Sequence, residues 1–85
     1  MTDANAIESQ IRTVLKDHGR LAENSQTIAI DHDLYLAGMT SLSSVNVMLA
    51  LEEAFDIEFP DHMLNKRVFG SITAIREAIL ELTSS

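Results

Sequence analysis

The sequence predicts an all-α fold: a small bundle of three long helices and one short one, with a long loop between the first two. Three observations carry this. Apolar residues recur at helical spacing in three separate segments. Gly, Pro and Ser punctuate the gaps between those segments. No two alternating apolar runs share a tight turn, so strand signals are weak.

The elements follow in order. Ile7, Ile11, Val14 and Leu15 fall on one face of an amphipathic helix over about residues 4–18, with Asp3 or Asn5 able to cap its start and Gly19 suited to its end. Residues 19–40 are long for a connector. Their polar cluster at 23–27 and apolar anchors Leu21, Ile28, Ile30, Leu34, Tyr35 and Leu36 describe an ordered loop pinned to the core, with a short helical turn near Asp33–Leu36. A second helix runs over about 41–55. Pro60 suits the first turn of a short third helix over about 60–66. Ser71 can cap a fourth over about 72–82, whose inner face is Ile72, Ile75, Ile79 and Leu82.

Composition bounds the function. The 85 residues make a single domain, residues 1–85, near the lower end of what folds alone. At 46 % hydrophobic the chain is globular rather than disordered. Six Lys+Arg against thirteen Asp+Glu give a net charge of −7, which argues against nucleic acid and anionic membrane surfaces and favours partners with basic patches. No cysteine is present, so the polypeptide forms no disulfide and supplies no thiol, which fits the cytoplasm. The first residues have neither a basic region nor an apolar run, so no signal peptide is expected. The longest apolar run, Val47–Leu51, is too short to span a bilayer, so no membrane insertion is expected.

The most informative stretch is Gly38-Met39-Thr40-Ser41-Leu42 and the apolar helix behind it. Ser41 sits where a flexible segment meets a helix start, so its hydroxyl is expected to be accessible. Nothing nearby in sequence looks able to activate it, and no spacing supports a Ser/His/Asp set with an oxyanion hole. A serine presented but not activated reads as a target for another enzyme. A serine at a helix start also serves as a plain N-cap, and the two roles can coexist. Asp31-His32-Asp33 has metal-ligand composition, but a short loop of this kind is expected to be solvated, and no metal site is expected.

The second helix carries two apolar stripes. Val47, Met48, Leu51, Ala54 and Phe55 cluster on one side and are expected to face the core. Leu42, Val45 and Leu49 cluster nearly opposite, edged by Asn46, Glu52 and Glu53. An exposed apolar patch with a polar rim marks an interaction surface. The alternative is a central helix buried on both sides.

These residues resemble the acyl carrier protein family. The family's Asp-Ser-Leu motif corresponds to Thr40-Ser41-Leu42, and its second helix and following turn to Val45–Pro60, including Leu51-Glu52-Glu53-Ala54-Phe55-Asp56 and Phe59-Pro60-Asp61. The close resemblance covers about 34–61. It implies a four-helix carrier bundle in which Ser41, flanked by Thr40 and Leu42, receives 4′-phosphopantetheine from coenzyme A. It also implies a protein that is not itself an enzyme. The implied partners are a phosphopantetheinyl transferase, a loading ligase and downstream acyl-transfer enzymes. The partner-binding candidates are then Leu42, Val45, Leu49, Glu52 and Glu53, and a monomer is expected.

Three departures from the family pattern bear on the cargo. Thr40 replaces the usual aspartate. Ser43, Ser44 and Asn46 make the start of the second helix less acidic than in fatty-acid carriers. The segment Leu64–Ser71 looks more like that of aminoacyl carriers. The expected function is a specialised acyl carrier holding acyl or aminoacyl thioesters on Ser41. The alternatives are an aminoacyl carrier loaded by a stand-alone amino acid ligase and a helical adaptor without a prosthetic group. Phe55, Phe59 and Phe69 are bulky enough to fill the interior between the second and fourth helices, which favours a small cargo over a long fatty chain. Ala50, Ala54, Ala74 and Ala78 leave open a pocket instead.

Overall fold

The structure is a computed structural model, and it describes residues 4–83. Helix α1 spans Ala4–Val14 and continues as a π turn over Leu15–Gly19. Helix α2 is Ser41–Phe55. A 3-10 turn at Asp61–Met63 precedes α3, Lys66–Phe69, and α4 is Ile72–Thr83. No strand occurs among the described residues. Helix α1 packs on α2 and α4, its π turn on α2, and α3 on α4.

The inner face of α1 is the expected one: Ile7, Ile11, Val14 and Leu15 are all buried. Its ends differ from expectation. Asn5 lies inside the helix rather than capping it, and Asp3 lies outside the described residues. The left-handed residue that stops the chain is Arg20, with φ 56°, not Gly19. Gly19 is buried instead, and a Cβ there would stand 3.3 Å from Leu15 Cδ2. The glycine therefore serves close packing of the wider π turn.

The 21-residue connector between Gly19 and Ser41 is held by backbone accounting. Arg12 of α1 reaches across with Nη1, donating to the carbonyls of Ser25 at 3.0 Å and Ile28 at 2.7 Å. The Ala22 N–H donates to Ala37 O at 2.8 Å, the Leu34 N–H to Gly70 O at 2.7 Å, and the Thr73 N–H to Ile30 O at 3.0 Å. The turn expected near Asp33–Leu36 forms. Asp33 Oδ1 accepts from the N–H groups of Tyr35 at 2.8 Å and Leu36 at 3.3 Å, as an Asx cap. Leu34 and Ala37, three apart, then point inward and are buried. That phase turns Leu36 outward, so it is 80 % exposed and does not anchor the loop as expected.

The third helix is shorter, later and split. Pro60 is extended, with φ −70° and ψ 160°, and the first turn ends at Met63. Asn65 then restarts the chain, its Oδ1 accepting from the Val68 N–H at 3.0 Å. A cap in the middle of the expected helix explains the break. Helix α4 matches expectation. Ser71 Oγ accepts from the Ala74 N–H at 3.1 Å, and Ile72, Ile75 and Ile79 are buried while Leu82 is half-buried.

Phe59 and Phe69 close the far side of the core edge to face, their centroids 5.2 Å apart and planes at 72°. Both are buried, and Phe55 is half-buried. On the outside, Arg76 Nη1 of α4 donates to Glu8 Oε2 of α1 at 2.6 Å. That hydrogen bond, with the charges of Glu77 and Glu8, outweighs partial burial and holds the guanidinium above its ordinary range.

Candidate functional site

Thr40 is extended, with φ −100° and ψ 169°, and caps α2. Its Oγ1 accepts from the Ser43 N–H at 3.1 Å, and Ser43 Oγ accepts from the Thr40 N–H at 2.8 Å. This reciprocal box satisfies two donors that a helix start leaves open. The cap is thus Thr40, not Ser41. Threonine does the capping an aspartate would do in this place.

Ser41 is thereby freed. It is the first helical residue and is exposed, and nothing among the described residues hydrogen-bonds its hydroxyl. The two neighbouring serines are committed. Ser43 is 2 % exposed and locked into the cap, and Ser44 Oγ donates to Ser41 O at 2.7 Å. The Ser43 and Ser44 N–H groups go to Thr40 Oγ1 and Thr40 O. Those of Ser41 and Leu42 stay open at the positive end of the helix. The approach is set by Gly38, whose φ of 121° is left-handed territory. A Cβ there would meet the Ala22 nitrogen at 2.8 Å.

Ser41 opens onto a cleft of about 320 Å³ between α2 and the 64–69 segment. Its walls are Tyr35, Ser44, Val45, Met48, Leu64, Asn65, Lys66 and Phe69, with no histidine or carboxylate among them. His32, the nearest histidine in sequence, sits 3.1 Å from Glu23 Oε2. The described residues hold no group of three His, Asp or Glu side chains that could bind a metal. Asp31 Oδ1 instead accepts from Thr73 Oγ1 at 3.2 Å.

The two stripes of α2 separate as read, with two exceptions. Val47 and Leu51 are wholly buried, and Met48 and Phe55 are half-buried. Leu42 is 76 % exposed, Leu49 53 % and Val45 47 %. Ala54 is the first exception. It is exposed and lines a groove with Ser9, Gln10, Thr13 and Val14 of α1. Glu52 is the second. Its half-buried carboxylate accepts from the Phe59 N–H at 2.8 Å, stapling the turn after α2. Its carbonyl takes the N–H groups of Asp56 and Ile57 at the left-handed end of the helix. Glu53 is exposed, as read.

Sequence reasoning missed the cleft and the Thr40–Ser43 box. The box had a signal in the Thr-x-x-Ser spacing. The cleft had none, because it is made by residues far apart in the chain.

Comparison with known proteins decides the family. Residues 6–79 match the family described as phosphopantetheine attachment site. The chain belongs to that family. An aminoacyl carrier protein from Agrobacterium fabrum is 48 % identical over 73 residues, which is 86 % of this chain and 88 % of that protein. Two solved structures contain an engineered Bradyrhizobium japonicum glycine:[carrier protein] ligase with a carrier protein from Agrobacterium tumefaciens. In the ATP complex the match is 46 % identical with a TM-score of 0.86, covering 89 % of this chain and 99 % of that one. In the AMP complex it is 49 % identical with a TM-score of 0.82, covering 85 % and 96 %. The protein is therefore a phosphopantetheine-dependent carrier of the acyl or aminoacyl kind, and its all-helical architecture is that of solved carriers.

The local geometry fits the group. The arm needs an exposed hydroxyl, a nearby positive potential for its phosphodiester and room alongside. Around Ser41 these are the unbonded Oγ, the open N–H groups at the start of α2, and the cleft. Among the described residues no helix is long and apolar enough to cross a membrane.

Proposed function

We propose that Ser41 bears the 4′-phosphopantetheine arm and that the arm presents an aminoacyl group, loaded by a stand-alone amino acid:carrier ligase. The observation that carries this is the freed hydroxyl. Of the three serines at the start of α2, Ser41 alone is exposed with a hydroxyl that makes no hydrogen bond among the described residues. When bound, the arm supplies the thiol that a cysteine-free chain lacks.

The chain's own residues hold and display. Thr40 and Ser43 fix the helix start, so the Ser41 backbone keeps one position relative to the axis of α2 while its hydroxyl stays free. The open N–H groups of Ser41 and Leu42 and the helix dipole favour the phosphodiester there. Leu42, Val45 and Leu49 offer an apolar docking strip on the same helix, with Glu53 at its edge. Glu52 stays with the turn it staples. A flexible arm then raises the cargo's effective concentration at an enzyme docked on that strip. Among the described residues no histidine or carboxylate lines the cleft at Ser41, which suits a chain that is the substrate of its transferase and ligase. A monomer acting in the cytoplasm suits this role.

The aminoacyl reading rests on two things. The relatives include an aminoacyl carrier protein and carriers solved with a glycine:[carrier protein] ligase. The interior that would sequester a long chain is filled by the buried Phe59–Phe69 pair. To test it, the holo-protein is mixed with glycine, ATP and such a ligase, and its intact mass is followed. The expected gain is one glycyl group, released by hydroxylamine as a thioester requires. Native protein isolated carrying only long fatty chains would overturn it.

A further inference from the structure

Among the described residues, Lys66 is the only charged one lining the cleft beside Ser41. It has no carboxylate partner among the described residues, although the chain has thirteen Asp+Glu. Its ammonium lies 5.3 Å from the centroid of the Tyr35 ring, itself part of the cleft wall. A cation within about 6 Å of a ring face is attracted to it, which biases this exposed charge toward the cleft wall. The remaining walls are apolar or neutral: Val45, Met48, Leu64 and Phe69, with Asn65 and Ser44. An acidic protein thus places an unpaired, locally held positive charge beside the residue that takes the arm.

We propose that Lys66 is a charge gate on this cleft, admitting an uncharged acyl group on the arm and excluding an amino-bearing one. The arm has many rotatable bonds and can fold back from Ser41. An apolar terminus gains by covering Met48 and Phe69. A glycyl terminus carries an ammonium at slightly acid pH. Entering the cleft would bring it near Lys66 with no carboxylate on the cleft walls to compensate, the arm's own phosphodiester staying at the start of α2. Like charges a few ångströms apart at this solvent-exposed cleft mouth disfavour entry by roughly a few-fold at low salt. An aminoacyl group is then held outside, where the next enzyme can take it, while an uncharged acyl group loaded in error is retained. The gate rests on Ser41 being the attachment residue but not on which cargo is native.

The test uses hydrolysis-resistant arms in which an amide replaces the thioester. They are attached to the full chain from coenzyme A analogues by a broad-specificity transferase, and attachment is verified by intact mass. Propionyl and glycyl termini are matched in size and differ by the ammonium. No ligase takes part, so failure of the gate is distinct from failure of the aminoacyl reading. The propionyl arm is expected to shift the Met48 methyl and Tyr35 ring resonances, and the glycyl arm to leave them at their holo positions. Lys66→Met keeps the stem and removes the charge, and Lys66→Gln keeps a polar end. Lys66 is exposed, so both variants should stay folded. In both, the glycyl arm is expected to shift the same resonances. Equal shifts by the two arms in the unmodified chain would overturn the gate. So would a propionyl arm that moves neither resonance, or continued exclusion of the glycyl arm in both variants.

Discussion

Val47 and Leu51 on one side of α2 are fully shielded from water, whereas Leu42, Val45 and Leu49 on the other keep about half or more of their surface exposed. The residue types are the same, and only their phase on the helix differs. The buried side meets α1 and its π turn, so its energy goes into folding. The open side is left largely uncovered by the described residues, Val45 also forming part of the cleft wall, and it begins beside Ser41. The same chemistry therefore holds the bundle together on one face and stays exposed to solvent on the other.

The two sides can be separated by mutation. The largest effect is expected from Leu51→Asp, which buries an unpaired charge in the core. It should remove most or all of a stability that is only about 5 kcal/mol for a domain of this kind, so circular dichroism should show unfolding at room temperature. Next is Gly38→Ala. It forces a side chain into a left-handed conformation against the Ala22 nitrogen and should cost about 1–3 kcal/mol in urea unfolding. Thr40→Ala removes the cap of α2 and should cost about 1 kcal/mol, while Thr40→Asp should cost far less because aspartate also caps. Thr40→Asp should also quicken modification by a transferase specialised for fatty-acid carriers, through the added negative charge. The smallest effect on stability is expected from Leu49→Asp, within about 0.5 kcal/mol, although it should slow transfer to partner enzymes by tenfold or more. Unfolding by Leu49→Asp would erase the distinction between the two sides.

Much of this was readable from residues. The inner faces of α1 and α4 were, because repeated isoleucines at helical spacing face the core wherever the helix packs. The exposed position of Ser41 at the start of α2 was, from a short motif joined to a long apolar helix. Ala54 and Leu36 were misplaced because phase alone does not show where a neighbour ends or how a preceding Asx cap rotates a turn. Pro60 is a strong start signal that points to one continuous third helix, while Asn65 supplies a second cap five residues later and splits it. Glu52 looked like a free rim charge because its partner, the Phe59 N–H, lies beyond a turn. The Lys66–Tyr35 contact joins residues of separate segments and has no local signature.

The most direct measurement of the central claim is intact mass after incubation with coenzyme A and a broad-specificity phosphopantetheinyl transferase. The unmodified chain should gain one arm. Ser41→Ala should gain none while keeping its helicity, because Thr40 rather than Ser41 caps α2. A folded Ser41→Ala protein that still gains an arm would contradict the assignment and move the site to another serine.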